Sequence, residues 1–536
     1  MQRIQISDNV LFFMAGLLLL VGYLLNLGVQ PLYLEEPRRT IVAMELLENQ
    51  NYWVPTLIGE YYYNKPPLYN WLLIGFVKLL GGFTEFNLRL PTVLASFGIA
   101  GLMYAAAKRY WQDAALGVLS ALLFLTAAGI LLFFSMLAEI DLFYALIVFS
   151  GILAIYHFGE KERYWPLFLL VYLSCGLGVL TKGLPSFVFT AVSLLVYFVD
   201  KKRFKVLFYP AHFAGIALLG LMLYTYYSQY AQYHDLSRVW MRMLSESGDR
   251  TVVSNSLGDF AKHLLLFPLN WIGDMAPASL LLVFLLRKDW RALLLKQNSF
   301  TRFCTLMLFF NALPYWISPG TRMRYVYMLY PLACMLMAWV YSQRATAPVW
   351  TGQVFRLMAL ILLGAFGLGA LALPWIPDLQ FMQTTTFGLA ITTAAAIGAC
   401  FWTCLRKPQF VLPLLLLGFA VVRLVFDGTV LPQRNQESGG QRDRALAARI
   451  DKIVGDAPLY TAYQEKVVAY TTIVYLNRLR KRVVKRKDHL LEGAYYLVPL
   501  KRAPKNATIL LTTAYDDKIK ALIELSDEEL STIKQL

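Results

Sequence analysis

Two pairs of carboxylates stand out in a chain otherwise poor in charge. Tyr33-Leu34-Glu35-Glu36-Pro37-Arg38-Arg39 sets two adjacent acids beside two guanidinium groups, and Ala138-Glu139-Ile140-Asp141 places a second pair at the edge of an apolar run. Neighbouring carboxylates in a protected place do not ionise together freely, so a proton, an arginine or a cation must neutralise one of them. Acids at membrane depth are costly and face a cavity or a partner. Cations accompany them: Lys65 in Asn64-Lys65-Pro66-Pro67, Lys182 between two apolar runs in Thr181-Lys182-Gly183, and Arg322 with Arg324. An ammonium so placed needs an anion or water, and phosphate suits it through charge-assisted hydrogen bonds. The chemistry open to such a set is proton transfer and stabilisation of developing charge. An interfacial helix start accounts equally well for Glu35-Glu36-Pro37, and snorkelling accounts for many membrane lysines. Four basic sites and two acid pairs on one side of a membrane argue for a site.

Metal and thiol chemistry have weaker footing. His157, His212, His234, His263 and His489 show no HExxH or paired spacing, and Cys175, Cys304, Cys334, Cys400 and Cys404 lie in apolar stretches without a CxxC. A metal hydrolase is a poor reading, and the cysteines read as packing residues. A single divalent cation held by carboxylates is left open, with no ligand assigned.

The elements that must position these residues are membrane helices. Of 536 residues, 58% are hydrophobic and 16% charged, against roughly 45–50% and about 25% in globular domains. The fold class is an all-α polytopic membrane protein. Apolar segments of spanning length are drawn at 10–29, 88–108, 114–134, 142–158, 166–181, 184–199, 207–228, 264–286, 303–318, 325–342, 354–374, 386–405 and 410–426, about thirteen transmembrane helices. The first follows a short stretch carrying Arg3, lacks a cleavage site, and reads as a retained anchor. Lysines and arginines concentrate in alternate loops, such as Lys201-Lys202-Arg203 and Arg406-Lys407, which puts the N-terminus in the cytoplasm. An odd count then leaves the C-terminal region outside. The expected division is a transmembrane domain over 1–426, including a long first outer loop at 30–87 with an interfacial helix near 66–81, and an extracytoplasmic domain over 427–536.

That last region mixes a helix at 441–453 with strand-like runs at 457–463, 495–500 and 508–513, as expected of a small α/β domain without a catalytic signature. Its block from Arg478 to Lys487 reads as a solvated basic face or as a contact for anionic lipid headgroups. The net charge of +16 comes with no nucleic-acid motif, so no nucleic-acid partner is expected.

Several motifs in order carry a resemblance: Glu35-Glu36-Pro37-Arg38, Trp53-Val54-Pro55, Asn64-Lys65-Pro66-Pro67, Asn87-Leu88-Arg89-Leu90-Pro91, Glu139-Ile140-Asp141, Leu180-Thr181-Lys182-Gly183 and Arg324-Tyr325 through Pro331. Over about residues 10–340 the chain resembles bacterial GT-C membrane glycosyltransferases of the aminoarabinose-transferase and protein-O-mannosyltransferase superfamily. The resemblance implies a GT-C helical bundle whose first outer loop rims the active site. It implies a polyprenyl-phosphate sugar as donor and an outer-leaflet acceptor. In the nearest-looking subgroup an aminoarabinose-type sugar goes to a lipid A phosphate; in the mannosyltransferase subgroup the acceptor is a Ser/Thr hydroxyl. Another cell-envelope glycan is a further acceptor class, and a lipid-linked sugar transporter is the non-enzyme alternative, although paired broken helices in two repeats are not evident. Multi-pass residence in the bacterial inner membrane follows, with the active site extracytoplasmic and membrane lipids as surroundings.

By resemblance the catalytic positions are Glu35, Glu36 and Asp141. Lys65 and Lys182 match positions associated with donor phosphate, Arg38 and Arg324 match positions that order the cavity, and Arg322 and Glu139 are further candidates for substrate binding. Glu35 stands where Asp is commoner in the family, and Asn64 where many relatives carry an acidic or aromatic residue.

Overall fold

The computed structural model describes residues 6–248, 256–462, 467–487, 493–504, 507–515 and 518–524. Arg3, His489 and the end of the strand-like run at Tyr463 lie outside the described residues. The chain divides into two compact units.

The first unit comprises Met1–Leu27, Arg89–Tyr227 and Trp240–Gln433. Helix falls on each of the thirteen apolar segments. Among the described residues, seven helices have the length and hydropathy to cross a membrane, or up to nine if two bent pairs each count as one span. Part of the shortfall from thirteen has a physical basis. The helix Pro185–Asp200 is short for a crossing, as is the apolar portion Asn9–Leu24 of the first helix, Ile6–Leu24. The predicted segments at 114–134 and 264–286 are not straight: they bend by 62° and by 115°. The two breaks meet, because Ala128 N–H donates to the Ala276 carbonyl at 2.9 Å. Gly129 packs on the Asp274 carboxylate where any Cβ would collide. Pro277, within the second break, has no N–H to continue a helical ladder.

The last helix of this unit, Val411–Glu437, runs eleven residues past the predicted end at 426. Asp427 does not stop it because Arg423, one turn earlier, pairs with the carboxylate at 2.8 Å, and both side chains are fully buried. Arg423 also donates to the carbonyls of Gly22 (3.2 Å) and Leu131, and to Ser135 Oγ at 3.1 Å. The same helix is tied to the first by Asn26 Nδ2, which donates to the Asp427 carbonyl at 2.7 Å. Arg89 of the Asn87-Leu88-Arg89 motif is buried and donates to the Leu27 carbonyl at 2.8 Å. These are backbone acceptors that water cannot reach, so the guanidinium groups satisfy them.

The second unit joins Gly28–Leu88, Ser228–Val239 and Arg434–Leu536. It holds the helices Glu36–Glu48 and Leu68–Leu80 with a short hairpin between them, strands β1 (Thr56–Leu57) and β2 (Glu60–Tyr61). The later part adds strands β3 (Leu459–Thr461), β4 (Lys485–Arg486), β5 (Tyr495–Pro499), β6 (Thr508–Tyr515) and β7 (Lys518–Glu524), in sheet order β4-β3-β5-β7-β6. Strand β3 pairs parallel with β4 and β5, while β7 is antiparallel to β5 and β6. Alternation along β5 sets Tyr496 and Val498 opposite Ile523 and Ala521, a buried cluster on one face. The helix Gly439–Val454 matches the predicted one, and a second helix, Tyr470–Arg480, falls where the sequence suggested no element. The segment from Arg434 onward thus packs with Gly28–Leu88 in one unit.

The hairpin turn Ile58-Gly59 has positive φ at both residues, 56° and 78°, the mirror-image turn that suits strand twist but that a β-branched residue adopts only under strain. Two bonds hold it. Glu45, fully buried on the helix Glu36–Glu48, receives the Gly59 N–H at 3.1 Å and the Thr56 hydroxyl. Arg486 N–H donates to the Ile58 carbonyl at 2.9 Å.

Candidate functional site

In the first unit, the helices Ile140–Gly159 and Tyr164–Lys182 are joined by a short turn and lie side by side. Asp141 is eighteen residues before the end of one, and Lys182 eighteen residues after the start of the other. At 1.5 Å per residue both stand about 27 Å from the turn, close to a hydrocarbon thickness, so the hairpin brings them level. Lys182 Nζ lies 2.5 Å from Asp141 Oδ1, and both side chains are almost fully buried. Asp141 occupies a helix N-terminal turn and Lys182 a C-terminal one, so each complements its own helix dipole.

Aromatic rings complete this cluster. The ammonium lies 5.1 Å from the Tyr144 ring centre and 4.9 Å from that of Tyr325, distances at which ring faces attract cations. Arg324 approaches Glu139 at 3.9 Å and stands over Tyr325 at 5.7 Å. Arg322 is exposed, at the N-terminal edge of the short 3-10 helix Met323–Leu329 that carries Arg324 and Tyr325. The structure therefore brings together Glu139, Asp141, Lys182 and Arg324. The sequence reading missed Tyr144 and Tyr325, since a tyrosine in an apolar run carries no signal of which cation it faces.

In the second unit the adjacent acids separate. Glu36 is fully buried, and its carboxylate accepts the Tyr33 N–H at 2.7 Å. Glu35, about one-third exposed, pairs with Arg38 at 2.7 Å. Arg38 in turn lies 5.6 Å from the Tyr470 ring centre. Glu36 ties the chain entering its helix back onto the first helical residue, whereas Glu35 combines partial exposure with a single-turn ion pair. Tyr62, buried in the same unit, has its hydroxyl pKa raised by that burial, against the opposing fields of Arg39 and Arg38.

Lys65 is half-buried in the loop between β2 and the helix Leu68–Leu80. That loop is anchored by His234, a residue given no role by sequence. Its Nε2 meets the Tyr63 hydroxyl at 2.6 Å and its ring stacks on Tyr61 with centres 3.6 Å apart. Burial and the nearby Arg238 hold its imidazole below the usual pKa, so the ring is neutral at pH 7 and serves as a stacking and hydrogen-bonding post.

Among the described residues, no three His, Cys, Asp or Glu side chains gather closely enough to hold a metal ion. Within the first unit Asp141 is paired with Lys182, and within the second unit Glu35 is paired with Arg38. The first-unit cluster alone can present positive charge to a phosphate while its carboxylates receive a proton or face a developing cation.

Several known proteins are similar to this chain. The family model for dolichyl-phosphate-mannose-protein mannosyltransferase matches residues 64–229, a stretch that includes Lys65, Glu139, Asp141 and Lys182. An undecaprenyl phosphate-alpha-4-amino-4-deoxy-L-arabinose arabinosyl transferase of Pectobacterium atrosepticum is 25% identical over 69% of this chain and 65% of its own length. A second enzyme of that name from Sodalis glossinidius is 28% identical over 36% of each chain. The chain thus spans about one-third to two-thirds of the length of these curated relatives. The crystal structure of ArnT from Cupriavidus metallidurans bound to undecaprenyl phosphate superposes with a TM-score of 0.70 at 16% identity, covering 96% of this chain and 98% of that one. The fold is therefore that of a GT-C multi-pass membrane protein. Within that class, the chain is similar to mannosyltransferases over residues 64–229 and to aminoarabinose transferases over up to 69% of its length.

Proposed function

We propose that this protein transfers a sugar from a polyprenyl-phosphate donor to an acceptor at the outer leaflet of the bacterial inner membrane, with an aminoarabinose-type sugar and a lipid A phosphate as the favoured pair. The observation that carries the reading is the buried Asp141–Lys182 couple ringed by Tyr144 and Tyr325. An ion pair costs too much desolvation to be an efficient packing element, and its place at one membrane edge suits a lipid-linked anion. The names of the curated relatives support the donor and sugar classes.

Cleavage of the donor's bond between sugar and phosphate leaves negative charge on the phosphate. Lys182 and Lys65 are the cations proposed to offset it, with Arg324 keeping Glu139 in place. The anomeric carbon becomes electron-poor as the bond breaks. Glu35 or Asp141 is the carboxylate proposed to stabilise that carbon, or to take a proton when the acceptor is a hydroxyl. A phosphate acceptor needs little base. A divalent cation would add further charge stabilisation beside these acids. The proposed topology has thirteen crossings, a cytoplasmic N-terminus and an extracytoplasmic site and C-terminal region, from the distribution of basic residues among the loops.

Purified protein incubated with a polyprenyl-phosphate sugar and either lipid A or a Ser/Thr peptide tests the reading. Released polyprenyl phosphate together with glycosylated lipid A is the expected result. Glycosylated peptide instead moves the protein to the mannosyltransferase-like reading, and no release with any donor and acceptor overturns the enzyme.

A further inference from the structure

We propose that the groove between the helix Glu36–Glu48, the turn at 82–84 and the end of the helix Tyr470–Arg480 docks the headgroup phosphate of an anionic membrane phospholipid. The groove has a volume of about 530 Å³ and lies wholly within the second unit, a size that suits a small ligand or headgroup. One wall is basic, with Arg478, Lys481 and Arg482, and the other is apolar, with Met44, Leu47 and Phe83.

The charges are not equivalent. Arg478 pairs with Glu85 at 3.0 Å, Arg482 donates to the Asp456 and Ala457 carbonyls, and Glu48, the acid of the groove, accepts the Val483 N–H at 2.7 Å. Lys481 has no hydrogen-bond or ion-pair partner among the described residues. Its backbone is left-handed, φ 52°, where it closes the helix. Glycine fills that position without steric cost, so stability alone would place glycine there, and the lysine side chain earns its place by what it meets.

The apolar wall points to a lipid as the source of the anion. The chain leading into it exposes Leu79 at 78%, Leu80 at 43% and, just beyond, Phe86 at 38%. A soluble anion would gain nothing from this lip. A phospholipid would lay its acyl chains along it while the phosphate meets Lys481 and Arg482, the division of labour seen wherever basic residues border apolar surface at a bilayer. The inference is independent of the transfer reaction.

The test is native mass spectrometry of the full chain in neutral detergent with phosphatidylglycerol or phosphatidylcholine. Wild type is expected to retain phosphatidylglycerol preferentially. Lys481→Gly and Lys481→Asn, both compatible with left-handed backbone, are each expected to lose about fivefold of that preference while melting no lower than wild type. Lys452→Gln, an exposed charge of the same unit away from the groove, is expected to lose none. Wild-type preference in both Lys481 variants overturns the site, as does an equal loss in Lys452→Gln. Complete displacement of the lipid by excess inorganic phosphate overturns the lipid in favour of a soluble anion.

Discussion

Asp141 and Lys182 meet 2.5 Å apart at the matched ends of two side-by-side helices, with neither side chain appreciably exposed. Breaking a buried pair leaves one charge uncompensated, at a cost of about 3–5 kcal/mol, whereas replacing both partners by neutral groups costs far less. Lys182→Met is therefore expected to melt well below the double variant Lys182→Met/Asp141→Leu in detergent. Both are expected to lack transfer activity. A double variant that transfers sugar at the wild-type rate would refute the proposed role of the pair.

The two adjacent acids separate in the same manner. Glu35→Gln is expected to lower turnover by about 10²-fold or more, the usual worth of a positioned acid or base, without changing the melting temperature. Glu36→Ala removes the carboxylate that receives the Tyr33 N–H and is expected to cost about 1–3 kcal/mol of stability. Parallel melting and turnover measurements on both variants decide the assignment. Equal activity losses with equal destabilisation would show the two acids acting as one structural unit.

Much of this was legible in the residues. Apolar length placed the helices, and the equal distances of Asp141 and Lys182 from the turn made their meeting a consequence of helical rise. Other features were hidden for physical reasons. Asp427 looked like the first residue of a polar tail because hydropathy cannot register that Arg423 neutralises it one turn away. The helix Tyr470–Arg480 begins with Tyr-Thr-Thr-Ile-Val-Tyr, residues of strand preference, and tertiary packing overrides that preference. Bends at 126–127 and 275–277 depend on contacts between distant segments, such as Ala128 with Ala276, which no local pattern reports.

The Arg423–Asp427 pair lies outside the candidate site and is expected to affect stability alone. Arg423 also donates to the Gly22 and Leu131 carbonyls. Arg423→Met should destabilise by about 3–5 kcal/mol, and adding Asp427→Leu should recover part but not all of it, because the carbonyls remain without a donor. Thermal melts of the single and double variants check this. Full recovery in the double variant would show that the backbone bonds contribute nothing.

Glu45 gives the second unit a defined pH response. Burial raises its carboxyl pKa from the ordinary 4.5 to about 7, against the lowering effects of Thr56, Gly59, Ile58 and Lys485. The folded state thus binds the Glu45 proton more tightly than the unfolded chain does. Its contribution to stability is complete below pH 4.5 and is lost as pH rises through 7, by on the order of 3 kcal/mol. Glu45→Gln keeps an acceptor for the hairpin turn but cannot ionise, so it should remove this component. Melting temperatures of wild type and Glu45→Gln at pH 5 and pH 8 isolate it, since other titrating groups are common to both proteins. The wild type is expected to lose more stability between the two pH values than the variant does. An equal loss in both would mean that Glu45 carries the same charge in the folded and unfolded states, and that the strained turn is held by the Arg486 backbone bond without a titrating partner.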